Sequence, residues 1–140
     1  MEPRFTRDRL PEVLRNHGIN PTHQRLEIAH ALFSRMEHLS ADQVLAFVNE
    51  RHPETSRATV YNTLNLFLEK GLVRDVVVDP GKVFYDPNTE PHYHLYDVDT
   101  GELKDVAASA ISISGLPPLP AGATAEGVDI IVRIRSRAAC

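Results

Sequence analysis

Apolar residues recur at helical spacing through the first half of the chain, and at alternate positions through much of the second. Over 7–17, Leu10, Val13 and Leu14 fall at i, i+3, i+4. That spacing predicts a helix with Pro11 in its first turn and Gly18 as its stop. A second helix opens at Asn20-Pro21-Thr22, capped either by Asn20 with Pro21 at the first helical position or by Thr22. Leu26, Ala29 and Phe33 form its stripe. After the connector Met36-Glu37-His38-Leu39, Ser40 and Gln43 make a capping box for a third helix that buries Val44, Phe47 and Val48. Pro53 ends it. Ser56 caps the fourth helix, Val60, Leu64, Phe67 and Leu68 are its buried face, and Gly71 is its stop.

Beyond Gly71 the period changes to two. Residues 72–78 read as a strand, Asp79-Pro80-Gly81-Lys82 as a type II turn, and Val83-Phe84-Tyr85 as the returning strand. Helices two to four followed by a hairpin predict a winged helix-turn-helix. Residues 93–98 and 102–106 predict a second hairpin about Asp99-Thr100-Gly101. Ala107–Ala125 carries no charge and is broken by Pro117, Pro118 and Pro120. A short strand near Ile111–Ile113 and an irregular or briefly helical crossover are expected there. Val128–Arg135 reads as a last strand, with Val128, Ile130, Val132 and Ile134 on one face. A sheet this small needs a cover, and a second copy of itself is a natural one. The expected architecture is α+β, with a winged-helix DNA-binding domain over 1–86 and a metal-binding dimerisation domain over 87–140.

Composition narrows the classes. The 140 residues are 42% hydrophobic and 24% charged, ordinary for a folded protein. No run of about 20 apolar residues exists, and the charged start MEPRFTRDRL has no signal-like apolar region, so a cytoplasmic protein without a membrane span is expected. Cys140 is the only cysteine, which excludes an intrachain disulfide framework and a four-cysteine zinc within one chain. The net charge of −4 is awkward for a constitutive DNA binder, whose affinity comes from neutralising phosphates. An acidic chain that binds DNA only when loaded with cations is physically reasonable.

The candidate chemistry is concentrated in 82–106. If His92 and His94 lie on a strand, both imidazoles share a face and Tyr93 takes the other. With Asp86, Asp105 and His38, they offer a nitrogen and oxygen set suited to Fe(II), Mn(II), Zn(II) or Co(II) rather than a thiolate-preferring ion. On the fourth helix, Arg57, Thr59, Tyr61 and Asn62 stay off the apolar stripe, where phosphates and base edges would meet them.

The segments Asn20-Pro21-Thr22-His23-Gln24-Arg25, His38 before Ser40-Ala41-Asp42, Ala58-Thr59-Val60-Tyr61-Asn62-Thr63-Leu64, Gly71-Leu72-Val73 and His92-Tyr93-His94 resemble the ferric uptake regulator superfamily across nearly the whole chain. The resemblance implies a metal-dependent dimeric repressor of double-stranded DNA with a near-palindromic operator, and no enzyme. It implies a regulatory site of His38, Asp86, His92, His94 and Asp105, holding Fe(II) or Mn(II), with Zn(II) an option. It carries DNA contacts onto Arg25, Tyr61 and Asn62. Thr59 and Arg57 are added on chemistry alone, Arg57 as an extra phosphate contact.

The departures are informative. Two C-x-x-C pairs hold a structural zinc in most members; here the first pair would fall on Asp97 and Thr100, and the second is missing. Their loss, with the proline-rich 115–120, is similar to the iron response regulator branch. His92-Tyr93-His94 and Asp86 are more similar to the peroxide-sensing branch, where iron-bound peroxide oxidises histidine ligands; His38 and His92 match those targets. The expected function is therefore peroxide sensing, with an iron- or haem-responsive regulator as the alternative. No Cys-Pro haem motif is present, so haem would need histidine ligation. A small H-x-H metalloenzyme is the remote alternative, since it has no need of a winged helix.

Overall fold

Thr22, Ser40 and Ser56 each hold extended backbone just before a helix, and each side-chain oxygen accepts from the N–H three residues on, at 3.3, 3.2 and 3.1 Å. Each cap contributes about 1 kcal/mol by satisfying a donor the helix cannot. At Ser40 the box is closed, because Gln43 accepts from the Ser40 N–H at 2.9 Å. In the computed structural model these caps start α2 (His23–Phe33), α3 (Ala41–Arg51) and α4 (Arg57–Glu69). A shorter α1 (Leu10–Asn16) precedes them after one 3-10 turn. The structure describes residues 5–35 and 37–136. Met36 of the predicted connector and Cys140 lie outside the described residues.

The chain divides into two compact units, Met1–Thr89 and Glu90–Cys140. In the first, α1 to α4 bury one cluster in which Leu14, Ile28, Leu32, Val44, Val60, Leu64 and Phe67 are essentially inaccessible to water. The stripe predicted on α4 is the buried one, although Leu68 is only half-buried. Strands β1 (Arg74–Asp79) and β2 (Lys82–Asp86) form the antiparallel hairpin, with Val76 and Val78 buried and Val77 exposed between them. Gly81 has φ +78°, the left-handed conformation that the second central residue of a type II turn requires. Leu39 also joins β2: its N–H donates to the Tyr85 carbonyl at 3.1 Å, and the Tyr85 N–H donates back at 2.7 Å.

The second unit is a three-stranded sheet in the order β4-β3-β5, with β3 at His92–Asp97, β4 at Leu103–Ala107 and β5 at Ile131–Ile134. β3 and β4 are antiparallel, whereas β5 runs parallel to β3. The parallel pairing explains the long connection, since a crossover cannot be a tight turn. That connection departs from expectation. No strand forms at Ile111–Ile113; the helical part is one 3-10 turn at Ala108–Ala110, and 112–129 is exposed without helix or strand. Ser112 to Gly115 bury nothing, and the prolines that follow remove ladder donors. The last strand begins at Ile131 rather than Val128, because pairing with β3 starts at His94↔Ile131. Val128, Val132 and Ile134 stay exposed.

The β3–β4 turn is closed by Asp97, whose Oδ1 accepts from the Asp99 N–H at 2.9 Å and the Thr100 N–H at 3.2 Å. Burial pushes the Asp97 carboxyl pKa up, but those donors, with Ser136, outweigh it and hold it below the usual value. A depressed folded pKa means stability that is present above the unfolded value of about 3.9 and is lost as pH falls through the folded one. Asp97→Ala should therefore lower Tm at pH 7, with the gap from wild type narrowing as pH is taken below the ordinary carboxylate range. A pH-independent gap in thermal melts followed by circular dichroism would show that the charge is not what matters.

Candidate metal centre

Backbone register places the candidate ligands in two groups, one in each unit. In the first unit the Leu39–Tyr85 bridge is antiparallel, so the flanking residues His38 and Asp86 fall side by side. His38 Nε2 lies 3.3 Å from Asp86 Oδ2. The other carboxylate oxygen, Oδ1, accepts from the Asn88 N–H at 2.9 Å, which fixes the orientation of the group.

In the second unit His92 and His94 stand two apart on β3 and share a face, their ring centroids 4.6 Å apart. Register pairs His94 with Asp105 across the ladder. Asp105 Oδ1 lies 3.3 Å from His92 Nε2 and 3.6 Å from His94 Nε2. The backbone carbonyl of Glu90 lies 2.6 Å from His92 Nδ1. A carbonyl can only accept, so Nδ1 carries the hydrogen, and in the neutral imidazole that leaves the Nε2 lone pair for a metal. That outer hydrogen bond is the usual way a ligating imidazole is held in the correct tautomer.

The donor chemistry fits a divalent cation. Each group brings at least one imidazole and one carboxylate within about 4 Å, and neither contains a thiolate, which suits Fe(II), Mn(II) or Zn(II). When bound, such an ion would supply charge neutralisation and, in the case of Fe(II), a one-electron redox centre. The chain's own residues set the geometry: Asn88 and Glu90 orient the groups, and the imidazoles and carboxylates would hold the ion. The Glu90 carbonyl is a contribution that residue type alone cannot signal.

The predicted DNA-facing residues also sort by geometry. Thr59 and Asn62 on α4 line one shallow depression with Arg25 of α2. The Arg25 guanidinium donates to the Asn20 carbonyl at 2.9 Å, which holds the side chain along the start of α2. Tyr61 instead lines a groove with Ser40, Asp42 and the hairpin residues Gly81 and Lys82. Arg57 pairs with Asp42 at 2.7 Å, both well exposed. Such a pair is worth roughly 0–1 kcal/mol, so the arginine can leave it for a phosphate. A further cluster of His23, Glu27 and His52 was not anticipated; the i, i+4 spacing of His23 and Glu27 was its one visible sign.

A sequence model described as the ferric uptake regulator family matches residues 16–115. The chain belongs to the ferric uptake regulator family. Among curated relatives, the peroxide operon regulator of Bacillus subtilis is 34% identical over 94 residues, 67% of this chain and 65% of that protein. The chain thus spans just under two thirds of that relative's length. Among solved structures, the ferric uptake regulator of Pseudomonas aeruginosa with manganese is 25% identical, with a TM-score of 0.69 over 90% of this chain and 96% of the other. The Vibrio cholerae ferric uptake regulator is 22% identical, with a TM-score of 0.71 over 90% and 98%. That last likeness speaks to the fold, a winged helix followed by a small sheet domain.

Within this family member, Asp105 is the carboxylate that both strand imidazoles share. Asp105→Ala should weaken Mn(II) or Zn(II) binding by at least about tenfold in calorimetric titration, with an unchanged circular dichroism spectrum. Unaltered affinity would remove Asp105 from the ligand set.

Proposed function

We propose that this chain is a metal-dependent transcriptional repressor that binds double-stranded DNA as a homodimer and senses peroxide through Fe(II). The observation that carries the reading is the convergence of His92, His94 and Asp105 on one face of a sheet, in a chain of this family. His38 and Asp86, oriented alike in the first unit, are proposed to complete the same site. One ion would then take three nitrogens and two oxygens and set the angle between the units. Five protein ligands leave one octahedral position for peroxide. The oxidation would fall on the imidazoles of His38 and His92. Fe(II) and Mn(II) accept the same ligands, so availability decides which is bound. Only iron would pass oxidation to the ligands.

DNA recognition is assigned to Arg25, Thr59, Tyr61 and Asn62, with Arg57 on a phosphate. Tyr61 is exposed beside the hairpin turn, a position from which it can reach a groove edge. The exposed Val128, Val132 and Ile134 support pairing of two copies through the second unit, which would present two reading helices to a near-palindromic operator. The lost zinc-binding pattern has a local substitute: the Asp97 carboxylate accepts from the Thr100 N–H, where the family would hold its first cysteine pair. No helix of the described residues is long and apolar enough to cross a membrane, which agrees with a cytoplasmic regulator.

The test is mass spectrometry of peptides from anaerobically Fe(II)-loaded protein, before and after a small peroxide dose, with Mn(II)-loaded protein alongside. One added oxygen at His38 or His92, in the iron sample only, is the expected result. Iron confirmed bound with no oxidation would favour the iron- or haem-responsive reading instead.

A further inference from the structure

A second set of metal-binding side chains lies wholly within the first unit. His23 and Glu27 are one turn apart on α2, and His52 is the residue that ends α3. One ligand atom from each lies within 4.8 Å of the others. The His23 and His52 rings meet edge to face, with centroids 4.7 Å apart. His52 Nε2 is buried from solvent and has no hydrogen-bond partner among the described residues; its nearest opposite charge, Glu27 Oε2, is 3.7 Å away. A buried imidazole nitrogen that satisfies nothing, facing a carboxylate and a second imidazole, wants an electrophile.

We propose that His23, Glu27 and His52 form a second divalent-metal site, one that takes Zn(II) or a similar borderline ion and clamps the start of α2 to the end of α3. Two imidazoles and one carboxylate, with remaining positions open to water, make a recognised ligand set for such ions. Ligands about 2 Å from a tetrahedral ion lie about 3.3 Å apart, so the cluster must close by roughly 1.5 Å at most. Exposed His23 can make that movement by rotation. The other two are already positioned. With its amide nitrogen toward the carbonyls, Asn49 donates to the His52 and Thr55 oxygens at 3.1 Å each. Arg7 donates to Glu27 Oε1 at 2.7 Å, which leaves Oε2 toward His52.

The surrounding charges act in both directions. Burial raises the Glu27 pKa, but the hydrogen bond and charge of Arg7, with His52 and Arg51, hold it below its usual value, so the carboxylate is ionised and ready to ligate. Arg7 and Arg51 also repel a cation, and Glu54, whose Oε1 is 3.6 Å from His52 Nδ1, offsets part of that repulsion. Affinity should therefore be moderate. His23 lines the same depression as Arg25 and Asn62, so a bound ion would add positive charge beside the surface assigned to DNA. The DNA effect rests on the proposed function; the metal site does not.

The experiment is equilibrium dialysis of the full chain against Zn(II), with bound metal counted by elemental mass spectrometry. A Cys140→Ser background keeps the thiol out of the count. Wild type should bind two ions per chain, and His92→Ala with His94→Ala should bind one. Adding His23→Ala to that pair should weaken the remaining ion by at least about tenfold, with His52→Gln doing the same and circular dichroism unchanged. Undiminished retention of the remaining ion when His23→Ala is added to the His92, His94 pair, or no ion left once His92 and His94 are removed, would overturn the second site. Failure of the first site alone would show differently, as binding that His23→Ala abolishes and the His92, His94 pair leaves intact.

Discussion

Backbone register is the constraint on which His38, Asp86, His92, His94 and Asp105 all depend. The two hydrogen bonds between Leu39 and Tyr85 hold a loop residue against a strand, and they set His38 beside Asp86. The β3–β4 ladder does the same for His94 and Asp105. A slip of one residue in either pairing would send a ligand to the opposite face. The left-handed Gly81 and the Asx turn at Asp97 matter because they fix where the returning strands begin, as the caps fix where the helices begin. The proposed metal centre therefore rests on peptide hydrogen bonds before it rests on imidazoles.

The electrostatics follow from that arrangement. Imidazoles and carboxylates face one another in each unit, and the chain as a whole carries a net charge of −4. Without a cation, carboxylates at these positions add to a field that repels phosphate. A divalent ion would remove that penalty locally, so in the proposed function cation loading and DNA affinity are coupled in sign even before any change of shape. Arg25 on α2 is held in place by the Asn20 carbonyl, whereas the exposed Arg57–Asp42 pair gives the first unit a positive group that costs little to redirect.

Much of this was legible in the sequence because local rules and tertiary packing agree. Ser40 and Gln43 announce a capping box, and the α4 stripe announces its buried face. Of the two caps that the sequence allowed for α2, the structure uses Thr22. The H-x-H spacing on a strand gives a shared face with no further information. What was not legible depended on contacts between distant residues. The strand expected at Ile111–Ile113 had the right composition but no partner to pair with. The last strand lost Val128 because its parallel pairing starts only at His94↔Ile131. The His52 imidazole meets α2 only through the packing of α3 on α2, which no spacing along the chain reports.

The central claim is that a bound cation governs DNA affinity. Its most direct test is fluorescence anisotropy of a duplex selected from a random library by the Mn(II)-loaded protein, titrated with metal-free and Mn(II)-loaded chain at one salt concentration. The account predicts that the loaded protein binds at least about tenfold more tightly, within the usual range of allosteric coupling. Equal affinity in the two states would contradict it.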